Sequence, residues 1–172
     1  TGMGKSLVYQ ICALLLRDEG LTLVVTPLVA LMTDQLRNLP KCIRGAAINS
    51  HQTPEQSRRI MGAVRNNEVD LLFVTPERLA MWALSSRDFP VALVCVDEAH
   101  CVSVWSHNFR PTYMRLNYFF KQLNVPRVLA LTATATTRAI CGIQELLHID
   151  VVLRQNVQCD IVRERVSGSG SG

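Results

Sequence analysis

The chain has 172 residues, of which 48% are hydrophobic, and a formal net charge of +4 at neutral pH. These values suit one folded, soluble domain with a sizeable core, and the mild basicity permits a polyanionic partner without requiring one. No apolar run is long enough to cross a membrane, and no Cys-x-x-Cys pair occurs among the six cysteines, so a membrane protein and a zinc ribbon are both disfavoured.

The chain begins inside a motif that is typical of phosphate-binding loops, G-x-x-x-x-G-K-[ST]. Glycines let backbone N–H groups surround phosphates at the start of a helix. The predicted ATP-binding residues are Thr1, Gly2, Met3, Gly4, Lys5 and Ser6. Lys5 is expected to reach the β- and γ-phosphates, and the Ser6 hydroxyl is expected to ligate Mg²⁺. Taken alone, the motif also fits an ordinary helix start with a solvated lysine. Since the motif would begin upstream of residue 1, we expect the chain to be a piece of a longer protein.

Apolar, β-branched runs then alternate with segments of helical periodicity. The predicted strands are 21–26, 45–48, 70–75, 91–96 and 127–132. The predicted helices are 6–17, 28–39, 111–123 and 136–147, with two more that begin near residues 53 and 76. This alternation, after a phosphate-binding motif, predicts an α/β fold of the P-loop NTPase type, with a parallel sheet and helices on both faces. We expect residues 1–166 to form one lobe and residues 167–172 to form a flexible Gly/Ser tail.

Polar residues follow several of the predicted strands. The carboxyl ends of parallel strands share one edge of a sheet, and hydroxyl groups along that edge suit contact with a phosphate backbone. Any single Thr-Pro pair is equally a plain strand-to-helix junction. The predicted nucleic-acid contacts of this kind are Asn49, Ser50, Thr75, Thr132 and Thr134.

Two carboxylates and a histidine follow the strand at 91–96. If Lys5 and Ser6 hold Mg²⁺ and a nucleotide, Asp97 is the expected partner of the metal. Glu98 is then placed to orient and deprotonate the attacking water. The role of His100 is less determined, and a link between the nucleotide and another site is one interpretation. The alternative for the Asp-Glu pair alone is a solvated acidic turn.

Six of the ten aromatic residues lie between Trp105 and Phe120. Their spacing of four fits a helix face, but Pro111 would break a helix that ran through it. We therefore predict a loop over 103–110 and core positions for Tyr118, Phe119 and Phe120. The loop residues predicted to contact or sense DNA are Trp105, His107, Phe109 and Arg110.

Together these motifs make the chain resemble the RecQ family of ATP-dependent DNA helicases, over nearly its whole length. The most specific matching motif is Trp105-Ser-His-Asn-Phe-Arg-Pro111, which is similar to the corresponding sequence in the Rothmund–Thomson branch of the family. Further matching segments are Thr1–Gln10, Thr26–Gln35, Asn49–Ser50, Thr75–Leu79, Asp97–His100 and Leu131–Thr136. The resemblance implies that the parallel sheet is RecA-like.

The resemblance implies the first of two helicase lobes, with ATP and Mg²⁺ as cofactors. Its implied partners are single-stranded and forked DNA and a second lobe of the same polypeptide, with no membrane. It implies 3′-to-5′ unwinding in DNA replication, recombination and repair, and a nuclear location in a eukaryote. Val104 stands where the family usually has Gln, which removes a polar group from the coupling loop. A DEAH ATPase that acts on RNA or protein, and a lobe that binds without turnover, remain open as alternatives.

Overall fold

The computed structural model describes residues 4–83, 89–102, 111–134, 136–149, 151–155 and 158–164, the last two ranges by their backbone alone. These ranges contain helices that follow the strands in alternation. The helices are α1 (Lys5–Leu15), α2 (Val29–Arg37), α3 (Pro54–Arg65), α4 (Pro76–Ala83), α5 (Leu116–Gln122) and α6 (Thr137–Leu147). No helix in the described part of the chain is long and apolar enough to cross a bilayer.

The described strands form one seven-stranded sheet. They are β1 (Leu21–Val25), β2 (Gly45–Ile48), β3 (Leu71–Val74), β4 (Val91–Val96), β5 (Arg127–Thr132), β6 (Val151–Gln155) and β7 (Gln158–Glu164). Their order across the sheet is β2-β3-β1-β4-β5-β7-β6. The first five strands in that order pair in parallel, which confirms the predicted sheet.

Helices cover both faces of the parallel part of the sheet. On one face, α1 and α2 bury Tyr9, Ala13 and Met32 against strand residues such as Phe73. On the other face, helices α3 to α6 bury a larger apolar layer. Because successive strand side chains point to opposite faces, strands covered on both sides are expected to be apolar, and β3 and β4 are apolar throughout, whereas β1 contains one polar residue, the buried Thr22.

The C-terminal hairpin was not predicted from the sequence. The β7 strand pairs antiparallel with β5, and β6 pairs antiparallel with β7, so the sheet is mixed rather than wholly parallel. Charged and amide residues interrupt both segments, so neither resembles the continuous apolar strands before them. The hairpin supplies hydrogen-bonding partners to the edge of β5, which would otherwise be exposed.

Helix starts follow the local sequence closely. Thr53 accepts the N–H of Gln56 at 3.2 Å, and the Gln56 side chain accepts the N–H of Thr53 at 2.9 Å, which forms a capping box before Pro54. Thr136 caps α6 by accepting the N–H of Ala139.

The predicted helix 111–123 is less regular than expected. A 3₁₀ turn over Pro111–Arg115 precedes α5, and Pro111 stands at its first position. Phe119 and Phe120 are buried as predicted. Tyr118 is 48% exposed, so its predicted core position is wrong.

Candidate nucleotide-binding site

The position of Asp97 is set by the strand that precedes it. All six residues of β4 are buried, and β4 lies between β1 and β5. The Asp97 N–H donates to the Val25 carbonyl at 2.9 Å, which extends the ladder by one residue beyond the strand. The carboxylate therefore stands at the carboxyl edge of the sheet, and the residue is only 7% exposed.

Glu98 turns the chain sharply at this edge. Its φ of 50° lies in the left-handed region, and its N–H donates to Asp97 Oδ1 at 3.0 Å. This conformation costs a non-glycine residue about 1–2 kcal/mol. The turn directs the Glu98 side chain towards the start of α1. Backbone strain of this size next to a buried acid is typical of functional sites.

Lys5 approaches the two acids from the first turn of α1. Gly4 adopts a φ of 77° before the helix, a conformation that favours glycine. Lys5 is 8% exposed, and its Nζ lies 3.6 Å from Glu98 Oε1, an ion pair slightly longer than a hydrogen bond. Within the described residues, this buried ammonium has no hydrogen-bond acceptor. A phosphate oxygen would supply one, so the lysine fits the predicted role.

A small cleft joins these groups at the carboxyl edge. It is lined by Lys5, Ser6, Tyr9, Leu31, Gln35, Asp97 and Glu98. The sequence had assigned four of these residues to ATP or Mg²⁺, and the structure brings all four together. It had missed Tyr9, Leu31 and Gln35. The spacing of four between Lys5 and Tyr9, which places both on one helix face, was the available signal for Tyr9.

The two carboxylates experience opposite electrostatic environments. Burial, followed by the charge of Glu98, raises the pKa of Asp97 above its ordinary value. The hydrogen bond with His100 outweighs burial and lowers the pKa of Glu98, with help from Lys5. The nearby charges of Lys5 and His100 do not offset the burial of Asp97, and the Ser6 hydroxyl beside this carboxylate is a donor set that suits Mg²⁺. Ser6 and Asp97 would hold the ion.

With this geometry established, the chain can be compared with known proteins. A family model described as DEAD/DEAH box helicase matches residues 1–141. The chain belongs to the DEAD/DEAH box helicase family.

The curated relatives of this helicase domain include several ATP-dependent DNA helicases. The chain is 47% identical to helicase Q-like 5 of Arabidopsis thaliana, 43% to helicase Q4 of Homo sapiens and 41% to RecQ of Bacillus subtilis. Each match covers 87% of this chain, but only 17%, 13% and 26% of the respective relative. The resemblance to RecQ helicases is therefore confirmed, and the chain spans between 13% and 26% of the length of these relatives.

Solved helicase structures share the fold. The helicase domain of Pyrococcus furiosus Hef has a TM-score of 0.64 and 25% identity, covering 88% of this chain and 32% of that one. Mycobacterium smegmatis Lhr, solved with ssDNA and AMP-PNP, has a TM-score of 0.63 and 25% identity, covering 84% and 21%. Both support the RecA-like assignment.

In this helicase domain, His100 connects the acids to the neighbouring strand. Its Nδ1 lies 3.2 Å from Glu98 Oε2 and 3.0 Å from the Thr132 hydroxyl at the end of β5. The Thr132 hydroxyl in turn donates to the Thr134 carbonyl at 3.0 Å. Contact with Cys101 and the ion pair with Glu98 raise the pKa of His100 to about 9, so the ring is cationic at neutral pH. Polar contacts therefore run from Lys5 to Thr134.

The other residues predicted to contact nucleic acid differ from one another in their exposure. Thr75 and Thr132 are 3% and 1% exposed, so neither hydroxyl is available to a polymer in this structure. Thr75 lies between β3 and the start of α4, and Thr132 is the last residue of β5. Thr134 and Ser50 are exposed, and the Asn49 side chain accepts the N–H of His51 at 2.9 Å.

Several predicted residues lie outside the described part of the chain. These are Thr1, Gly2 and Met3 of the phosphate-binding loop, and Val104, Trp105, His107, Phe109 and Arg110 of the aromatic loop. Their roles stay predictions.

Proposed function

We propose that the chain is the ATP-binding lobe of a RecQ-type helicase that couples ATP hydrolysis to movement along single-stranded DNA and to duplex unwinding. The observation that carries this proposal is the cleft in which the buried Lys5 ammonium meets Asp97 and Glu98. The names of the curated relatives support the choice of DNA as the polymer.

The residues of the cleft would have different roles in phosphoryl transfer. An incoming γ-phosphate competes with Glu98 for Lys5, whose ammonium has room for a further acceptor. Ser6 and Asp97 would hold Mg²⁺, whose positive charge would neutralise the phosphate oxygens. Once released from Lys5, the Glu98 carboxylate accepts a hydrogen bond from the attacking water and orients it. The lowered pKa of Glu98 keeps its carboxylate ionised. Such a carboxylate can orient the attacking water but is a weak base for removing its proton.

Coupling to DNA would use groups beyond the cleft. His100 joins Glu98 to Thr132, so a change at Glu98 reaches the turn that carries Thr134. The aromatic loop with Trp105, His107, Phe109 and Arg110 would contact DNA and signal its presence. A second lobe of the same polypeptide would complete the ATP site, so the 172-residue chain alone is not expected to unwind DNA. The same proposal includes three properties that rest on the family resemblance. They are 3′-to-5′ unwinding, a role in DNA replication, recombination and repair, and a nuclear location.

The test is ATP turnover by the full-length protein, measured with no nucleic acid, with single-stranded DNA and with RNA. We expect stimulation by DNA, and we expect Lys5→Ala and Glu98→Ala to lower turnover by at least about a hundredfold, because each removes a charge that acts at the γ-phosphate. Arg58→Ala on the exposed face of α3 serves as the matched control and should leave turnover unchanged.

Each contrary result points to a different function. Stimulation by RNA alone would replace the proposed substrate with RNA. Nucleotide binding without turnover in the wild-type protein would identify a lobe that binds but does not hydrolyse. Full activity in Lys5→Ala would overturn the assignment of the cleft itself.

A further inference from the structure

Tyr9 is a buried polar residue that the proposed function does not use. It lies on α1, is 1% exposed, and packs its ring edge-to-face against Phe73 with centroids 5.9 Å apart. Within the described residues, its hydroxyl is buried and has no hydrogen-bond partner. Leaving a buried hydroxyl unpaired costs about 1–3 kcal/mol, and phenylalanine would fill the same apolar space without that cost.

Tyr9 belongs to the core beneath the sheet face covered by α1 and also lines the candidate nucleotide site. Tyr9 is one helical turn after Lys5 and lines the same cleft as Asp97. Burial, together with the nearby negative charge of Asp97, raises the pKa of Tyr9 well above its ordinary value. The phenol therefore stays protonated and can act as a donor.

Asp97 lacks donors in the same place. Its Oδ1 accepts the N–H of Glu98, and no other hydrogen bond to its carboxylate is made by the described residues, although the residue is only 7% exposed. A buried ionised carboxylate needs more than one donor or cation to offset its lost hydration. Tyr9 thus has a donor without an acceptor, and Asp97 has an acceptor oxygen without a second donor.

We propose that Tyr9 is a positioning residue that donates a hydrogen bond from its hydroxyl to the Asp97 carboxylate when the site holds Mg²⁺ and nucleotide. The unpaired Tyr9 hydroxyl and the Asp97 carboxylate, which accepts a single N–H from the described residues, line the same cleft. The hydroxyl then fixes the carboxylate's orientation towards the ion. This inference rests on the proposed function, because it needs Mg²⁺ and nucleotide to bind in this cleft.

The experiment compares Tyr9→Phe with wild type in the full-length protein. Binding of fluorescently labelled ADP is measured at increasing Mg²⁺ and separately in EDTA. We expect Tyr9→Phe to raise the Mg²⁺ concentration needed for half-maximal tight binding by about tenfold, the size of one hydrogen bond to a charged group. Affinity for ADP in EDTA should stay unchanged, because the hydroxyl acts on the metal's ligand and not on the nucleotide.

Thermal unfolding supplies a second readout that does not depend on activity. Without ligand, Tyr9→Phe should match or exceed the melting temperature of wild type, since it removes an unpaired hydroxyl. The stabilisation produced by Mg²⁺ and ADP should shrink in the variant. Tyr118→Phe, at an exposed position on α5, is the matched control and should change neither measurement.

The outcomes separate the two claims. If wild type shows no Mg²⁺-dependent binding of ADP, the proposed function fails. If wild type binds in that way and Tyr9→Phe has the same Mg²⁺ requirement, the positioning role is wrong. A variant that melts early without ligand, yet keeps the full stabilisation by Mg²⁺ and ADP, would show that the hydroxyl is only part of the core.

Discussion

Two buried aspartates, one just before a strand and one just after a strand, differ in the number of hydrogen-bond donors around their carboxylates. Asp70 stands just before β3, and its side chain is 1% exposed. It accepts the Arg44 backbone N–H at 2.8 Å and Arg44 Nη2 at 2.6 Å, and Arg17 adds a contact at 3.2 Å. Asp97 stands just after β4 and accepts one backbone N–H within the described residues. One carboxylate is saturated with donors and the other is not.

The difference shows which acid is structural. Burial alone would raise the pKa of Asp70, but the hydrogen bonds and charge of Arg44, with help from Arg17, outweigh it and lower the pKa. The pKa of Asp97 is raised, because burial and Glu98 prevail. If residue 97 contributed only to folding, a neutral side chain at this position would give a more stable protein than a buried carboxylate does. This environment fits the proposed role of Asp97 as a ligand of Mg²⁺.

Asp97→Asn is expected to have the largest effect among the tests of this contrast between the two aspartates. We expect ATP turnover of the full-length protein to fall at least about a hundredfold, since a neutral amide holds Mg²⁺ poorly. The free energy of unfolding, measured by urea denaturation without ligand, should stay the same or rise, because a buried charge with few partners has been removed. A strongly destabilised variant would mean that Asp97 is structural, as Asp70 is.

Asp70→Asn should give the reverse result. Removing the charge leaves Arg44 and Arg17 without their shared anion, and we expect the free energy of unfolding to fall by about 2 kcal/mol, a value reduced because both arginines are partly exposed. Turnover per folded molecule should be retained. The matched control is Glu19→Gln, which breaks the exposed ion pair with Arg127 and should change stability by no more than about 0.5 kcal/mol. An equal loss in both variants would contradict a special role for Asp70.

The smallest expected effect concerns pH. The pKa of His100 is raised from 6.5 to about 9, so its stabilising contribution is complete below about pH 6.5 and is lost as the pH rises through about 9. The pKa of Asp70 is lowered from 3.8, so its contribution is present above that pH and is lost on acidification. Wild type should exceed His100→Gln in unfolding free energy by about 1–2 kcal/mol at pH 6, and this gap should close near pH 10. A gap that is constant with pH would show that His100 does not act through its charge.

The sequence predicted the parallel part of the fold well, because long apolar runs between turn residues leave few alternatives. The strands at 45–48, 91–96 and 127–132 have the predicted bounds. The grouping of Lys5, Ser6, Asp97 and Glu98 also followed from the rule that sites form at the carboxyl edge.

What the sequence could not give depends on contacts between distant residues. Thr75 and Thr132 look like exposed strand ends, but their burial is decided by the segments that cover them. The β6–β7 hairpin has no continuous apolar run, and its place is set by the free edge of β5. The role of Asp70 depends on Arg44 and Arg17, which are far away in the chain, and no local pattern marks it.

The contact between Lys5 and Glu98 has a consequence for selectivity among anions. Because the carboxylate holds the ammonium at 3.6 Å, it competes with any anion that enters the cleft. The apparent affinity for an anion equals its intrinsic affinity multiplied by the fraction of molecules in which the pair is open. If the cleft binds ATP as proposed, a monovalent anion would gain too little from Lys5 to displace Glu98, whereas a triphosphate with several charges would gain more. The ion pair would then discriminate against weakly bound anions before any chemistry begins.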